Sequence, residues 1–138
     1  MQYIYKVEDV KPFPLDPEAK VGGHGHGEKI TLRILSDPTV ANVGMKNSTV
    51  VYVEFGPGGG SNPHQHSDFE QMYFVLGGEA LLYIGGQEHK LGANSLVVIP
   101  PNTSHNVKVI GDEPFKCLEI SAPPLPIDLL REAKILKD

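Results

Sequence analysis

The stretch GGGSNPHQHSDFEQMYFVLG, from Gly58 to Gly77, decides how the chain is read. Within it Gly58, His64, His66, Glu70 and Gly77 form the run G-x5-H-x-H-x3-E-x6-G, and His105 follows downstream. Residues two apart on a β-strand point to one face, so His64 and His66 lie side by side with Cα atoms about 6.5 Å apart. A carboxylate four residues on reaches the same point if the chain turns between them. Neutral imidazole and carboxylate are the donors that hold a divalent transition metal. The run therefore reads as a metal site built into a β-sheet.

The flanking sequence supplies the sheet. Fifteen glycines and twelve prolines punctuate short β-rich segments among 138 residues, the pattern of an all-β barrel or sandwich in one domain. Strands are expected over 29–35, 48–55, 71–76, 79–84, 87–91, 95–100, 105–110 and 115–120. In KITLRIL, Ile30, Leu32 and Ile34 alternate with Lys29, Thr31 and Arg33, which marks a half-buried strand. Gly85-Gly86 between two β segments signals a two-residue hairpin, because a type I′ turn needs positive φ twice. The GPGGGSNP segment (56–63) reads as a loop. The barrel is expected over about 29–121, with an N-terminal arm (1–28) and a C-terminal tail (122–138) in which IDLLREAKIL (127–136) forms a short helix.

Composition excludes several functions. The formal net charge is −5 and no basic cluster exceeds a few residues, which disfavours nucleic-acid binding. No apolar run approaches the roughly 20 residues that cross a bilayer. No apolar leader is visible, so a cytoplasmic protein is expected. The single cysteine, Cys117, excludes an internal disulfide and a Cys-rich zinc site, and reads as a buried inert thiol. His24 and His26 sit in a Gly-rich loop, and His89 reads as a surface residue.

Strand parity sorts the residues near the metal run. Glu70, Met72 and Phe74 share one face, and Gln71, Tyr73 and Val75 the other. If Glu70 points into the barrel, Met72 and Phe74 are its apolar neighbours. His105, Val107 and Val109 share a face on a later strand. The expected site is three imidazoles and one carboxylate in a pocket lined by Met72, Phe74 and Val107. Four protein donors leave one or two positions open on a five- or six-coordinate ion. Fe, Mn, Ni, Co, Cu and Zn all accept this donor set. Tyr52 and Glu54 are the candidate catalytic groups.

The stretch from Gly58 to Gly77 resembles the first motif of the cupin family at every defining position. The family's second motif, G-x5-P-x-G-x2-H-x3-N, is matched in part by NSLVVIPPNTSH, from Asn94 to His105. Pro100 and His105 are kept at their spacing. Asn94 and Asn102 replace the two glycines, and asparagine is the residue that best tolerates positive φ in glycine's place. Val109 stands where the motif ends in Asn. The resemblance spans about residues 48–120 and implies a small jelly-roll β-barrel, metal ligation by His64, His66, Glu70 and His105, and a homodimer. It also implies a small-molecule ligand. A dioxygenase acting on a chelating oxygenated substrate is the leading expectation. A non-redox isomerase, epimerase, lyase or decarboxylase is the alternative, and a non-catalytic small-ligand binder is the third.

Overall fold

A computed structural model describes residues 3–13, 28–39 and 45–126. Eight strands account for most of them: β1 (Glu28–Ser36), β2 (Thr49–Gly60), β3 (Glu70–Gly77), β4 (Glu79–Ile84), β5 (Gln87–Leu91), β6 (Leu96–Ile99), β7 (His105–Ile110) and β8 (Phe115–Ala122). All eight expected strands are present. A 3-10 turn, Val7–Asp9, is the one helical element among the described residues. The 127–136 helix and the His24/His26 loop lie outside the described residues.

Every pairing is antiparallel, and the sheet runs β5-β4-β7-β2-β8-β3-β6, with β1 pairing β2. The sheet curls into a jelly-roll barrel. β2 pairs with β8 through Thr49–Phe55, yet meets β7 only where Gly60 lies opposite Lys108. β2 therefore extends beyond Phe55, through part of the segment read as a loop. It does so because Gly60 lacks a side chain: a Cβ there would lie 2.4 Å from the Val107 carbonyl oxygen. That close approach joins the two halves of the barrel.

The interior is apolar along most of its length. Val51, Val53 and Phe55 on β2, Val107 and Val109 on β7, and Phe115 and Cys117 on β8 are all buried. Each fully buried side chain of this size contributes about 1.5–3 kcal/mol of transfer free energy. Residues 10–13 lie against the edge strand β1: Phe13 N–H donates to the Leu32 carbonyl at 2.7 Å, and Arg33 donates to the Val10 carbonyl. At the other end, Leu125 N–H donates to Thr49 Oγ1, which itself donates to the buried Asp37 carboxylate.

The turns follow their glycines and asparagines. Gly85 and Gly86 have φ of 56° and 80°, as a type I′ turn requires. Asn94 and Asn102 stand at φ of 68° and 64°, so both asparagines do adopt the glycine conformation.

One face assignment reverses. On β3 the interior residues are Gln71, Tyr73 and Val75, while Glu70 is exposed and Met72 and Phe74 lie on the outer face. Alternation is ambiguous here because both faces of β3 are largely apolar. The register comes from the neighbouring strands instead. Gln71 lies opposite Ile99 and Ser121, and Val75 opposite Cys117, all of them interior. Met72 and Phe74 therefore do not line the interior pocket, whereas Val107 does face inward.

Gly78 closes β3 under a constraint that Gly77 does not share. Gly78 has φ of 78°, and a Cβ there would lie 2.2 Å from the Pro114 carbonyl oxygen; at Gly77 nothing lies within 4 Å. Gly78→Ala is expected to cost about 2 kcal/mol or more in urea unfolding, and Gly77→Ala less than about 1 kcal/mol. Equal losses at the two positions would contradict this reading of the turn.

Candidate metal centre

The chain leaving β2 runs along β7 and carries His64 to His105. Ser61 N–H donates to the Val107 carbonyl at 2.8 Å, and Val107 N–H donates to Ser61 Oγ at 2.9 Å. His64 and His105 then exchange both backbone hydrogen bonds, at 3.1 and 2.9 Å. Residues paired in this way in an antiparallel ladder project to the same side. His66 is tied in from the second motif, since Asn102 N–H donates to the His66 carbonyl at 2.6 Å. The ring centroids of His64 and His105 are 4.1 Å apart, those of His64 and His66 4.9 Å, and those of His66 and His105 5.3 Å.

The three side chains are 5%, 7% and 1% exposed for His64, His66 and His105, which places the cluster inside the barrel. One potential donor atom from each falls within 4.8 Å of the others, so the group could hold a metal ion. Two of the rings are oriented for it. His64 Nδ1–H donates to the Asn62 carbonyl at 2.6 Å, and His105 Nδ1–H donates to the Thr103 carbonyl at 2.8 Å. A carbonyl only accepts, so in both rings the proton sits on Nδ1 and Nε2 carries the lone pair. Orienting a ligand histidine through its other nitrogen is the usual support for a metal site. His66 stacks on the buried Phe69, with centroids 4.5 Å apart. Its ring is pushed down to about 3, first by burial and then by His64 and His105. His66 therefore presents a neutral imidazole at physiological pH, the protonation state that a divalent transition ion needs.

The expected fourth donor is placed elsewhere. Glu70 is exposed at the start of β3 and does not join the three histidines. The neighbouring Gln71 points inward instead and is 2% exposed. It donates from Nε2 to Glu119 Oε1 at 2.9 Å and to Ser121 Oγ at 3.1 Å. Glu119 shares its face of β8 with the buried Cys117 and Ser121 and lies opposite Val51 and Tyr73, so its carboxyl faces the interior. Burial pushes that carboxyl up to about 7. Tyr73 is buried with its ring centroid 6.2 Å from that of His105, and its phenol is raised by burial and then by Glu119. Sequence reasoning missed Gln71, Tyr73 and Glu119 as interior polar groups. The one available signal was the alternation of Glu119 with Cys117 and Ser121 in FKCLEIS.

The candidate catalytic pair is also outside. Tyr52 and Glu54 share the face of β2 opposite that of Val51, Val53 and Phe55, and Tyr52 Oη–H donates to Glu54 Oε1 at 3.1 Å. Burial and this hydrogen bond push the Tyr52 phenol up to about 12. They brace the outer surface of the sheet and do not face the histidines. Cys117 is buried as expected, and burial raises its thiol. No helix among the described residues is long and apolar enough to cross a membrane.

The depressed His66 makes an acid-stability prediction. In the unfolded chain this ring takes a proton near the ordinary 6.5, but in the folded chain only near 3. The unfolded state binds more protons in between, so stability from neutral His66 is present above 6.5 and lost as pH falls toward 3. Metal-free protein should lose denaturant stability as pH falls from about 6.5 to 4, and His66→Gln should flatten that slope. Parallel pH profiles for the two proteins would contradict it.

Comparison with known proteins agrees with this geometry. The family described as Cupin domain matches residues 51–121. Auxin-binding protein 1 of Arabidopsis thaliana is 36% identical over 106 residues, covering 67% of this chain and 53% of its own length. Acireductone dioxygenase of Aquifex aeolicus is 34% identical over 65 residues, covering 44% of this chain and 35% of its own. The polyketide cyclase RemF from Streptomyces resistomycificus superposes with a TM-score of 0.73 at 22% identity, over 91% of this chain and 82% of that one, a likeness of fold. The chain spans about half the length, or less, of the curated relatives it matches. With its family match lying over the barrel and all three buried histidines inside the matched span, the chain belongs to the cupin family.

Proposed function

We propose that this protein is a metal-dependent enzyme that carries out non-redox proton transfer on a small oxygenated molecule. The observation that supports this best is Glu119, a carboxyl on the interior face that lies opposite the buried Tyr73 and accepts from Gln71. His64, His66 and His105 would hold a divalent ion, which would supply Lewis-acid chemistry toward a substrate oxygen. Glu119 supplies the general base or acid, and Tyr73 a second interior hydroxyl. An isomerase, lyase, cyclase or decarboxylase needs such a group inside the barrel. Val107 and Val109 present apolar side chains to the interior. The structural likeness to a polyketide cyclase is in keeping with this chemistry.

A dioxygenase is the second reading, supported by the match to acireductone dioxygenase. The two separate in one experiment. Metal-loaded protein is incubated with β-dicarbonyl, enol and hydroxy-acid compounds in deuterated water, with and without dioxygen. Deuterium incorporation or product without oxygen is expected, and Glu119→Gln should slow it by on the order of 100-fold. Turnover only with oxygen uptake would move the assignment to the dioxygenase. Tight retention of a compound without turnover would make the protein a binding module.

A homodimer fits the outer face of the same sheet. Met72, Phe74, Leu118 and Ile120 are only partly covered there, and Leu96 and Val98 are 57% and 58% exposed. An apolar patch of this kind is typical of an interaction surface, and a second copy is the occupant proposed for it. Sedimentation should give a dimer at micromolar concentration, and Leu96→Glu with Val98→Glu should give a monomer. A wild-type monomer would contradict the proposal.

A further inference from the structure

We infer that Phe69 is a positioning residue for the metal centre: the flat face of its ring sets the plane of the His66 imidazole, and with it the direction in which that imidazole donates. This rests on the metal centre proposed above. The three histidines are held in different ways. His64 and His105 exchange backbone hydrogen bonds, and each gives its Nδ1–H to a loop carbonyl, of Asn62 and of Thr103. A hydrogen bond through one ring nitrogen fixes the rotation of the ring and so aims the other. His66 stands outside that bridge. Its backbone is tied down by Asn102 N–H, which donates to its carbonyl at 2.6 Å. Rotation of a histidine ring about Cβ–Cγ has broad wells of its own, so what lies against the ring decides its plane.

Phe69 lies against it. The two ring centroids are 4.5 Å apart and the planes differ by 26°, a stacked arrangement. The rings of His64 and His105 meet the same imidazole at 63° and 59°. Phe69 is thus the most nearly parallel of the three rings around His66. The lone pair of an imidazole nitrogen lies in the ring plane, so a bond to an ion must lie there too. Rotating the imidazole would turn its edge onto the Phe69 face and carry the lone pair out of line.

The local chain explains how Phe69 gets there. Ser67 and Asp68 form a bend, with Ser67 Oγ–H donating to Asp68 Oδ1 at 3.1 Å. The bend turns the chain back between His66 and β3 and brings Phe69 over the imidazole. Ser67, Asp68 and Glu70 are exposed, and Phe69 alone of the four turns inward, at 4% exposure. Apolar packing alone asks only for volume at this position, which leucine or methionine would supply. Fixing a ring plane asks for a flat face, which they lack.

The test compares Phe69→Leu with Phe69→Tyr in the full chain. Calorimetric titration with Co(II) reads affinity, and the visible absorption of the bound ion reads the geometry of its donors. Proton NMR of metal-free protein reads the stack itself. In wild type and Phe69→Tyr the His66 ring protons should be shifted upfield by the ring current of the aromatic neighbour, and in Phe69→Leu that shift should be lost. Phe69→Leu should weaken Co(II) binding by about tenfold and alter the Co(II) absorption band, while Phe69→Tyr should stay within about threefold of wild type with the band unchanged. Thermal melts establish that each variant folds, and Phe69→Met replaces Phe69→Leu if the latter does not. Wild-type affinity with an unchanged band in the folded leucine or methionine variant would make Phe69 a packing residue only and overturn the inference. Unshifted His66 ring protons in wild type would overturn it too. His66→Ala separates the two levels. If it loses Co(II) while Phe69→Leu does not, only the positioning role is wrong; if it keeps Co(II), the metal centre is wrong and the inference falls with it.

Discussion

Two backbone hydrogen bonds, exchanged between His64 and His105, hold this structure's chemistry in place. They join residues 41 positions apart in the chain and force both imidazoles to one side. They form because β2 runs on to Gly60, where the absent side chain lets its backbone approach β7. The same pairing leaves each Nδ1 facing a loop carbonyl, so the tautomer of both rings follows from main-chain geometry. The fold and the site are thus one constraint. A barrel that failed to close at Gly60 would leave the histidines unpaired.

Around that pair the interior divides by polarity. One region is packed with Val53, Val75, Phe115 and Cys117, which supply stability. The other holds the histidines with Gln71, Tyr73, Glu119 and Ser121. Buried polar groups are expensive unless they satisfy one another. The Gln71–Glu119–Ser121 hydrogen bonds do this in part. An interior that keeps a carboxyl, a phenol and an amide among its buried groups, in the same barrel as three buried histidines, fits the proton transfer and ligation proposed above.

Much of this was legible in the residues. The eight strands, the Gly85-Gly86 turn and the positive φ of Asn94 and Asn102 follow from alternation and turn chemistry. His64, His66 and His105 follow from period two and from motif spacing. The face of β3 did not follow, because Met72 and Phe74 are as apolar as Tyr73 and Val75. With two faces alike, the inward one is set by Ile99, Cys117 and Ser121 across the ladder, and no local pattern contains those partners. Adjacent polar residues, Glu70 and Gln71, and adjacent glycines, Gly77 and Gly78, allowed two counts that differ by one residue. Only Gly78's contact with Pro114 and Gln71's burial distinguish them. Tyr52 and Glu54 were misplaced for a related reason, since Tyr52 is buried without being interior.

The central claim is that the barrel holds one metal ion at His64, His66 and His105. Anomalous diffraction from crystals of protein grown with its natural metal load tests it most directly. A single strong peak is expected about 2.0–2.1 Å from one ring nitrogen of each of the three histidines. A fully ordered barrel with no peak there, or with its peak at another side-chain cluster, would contradict it.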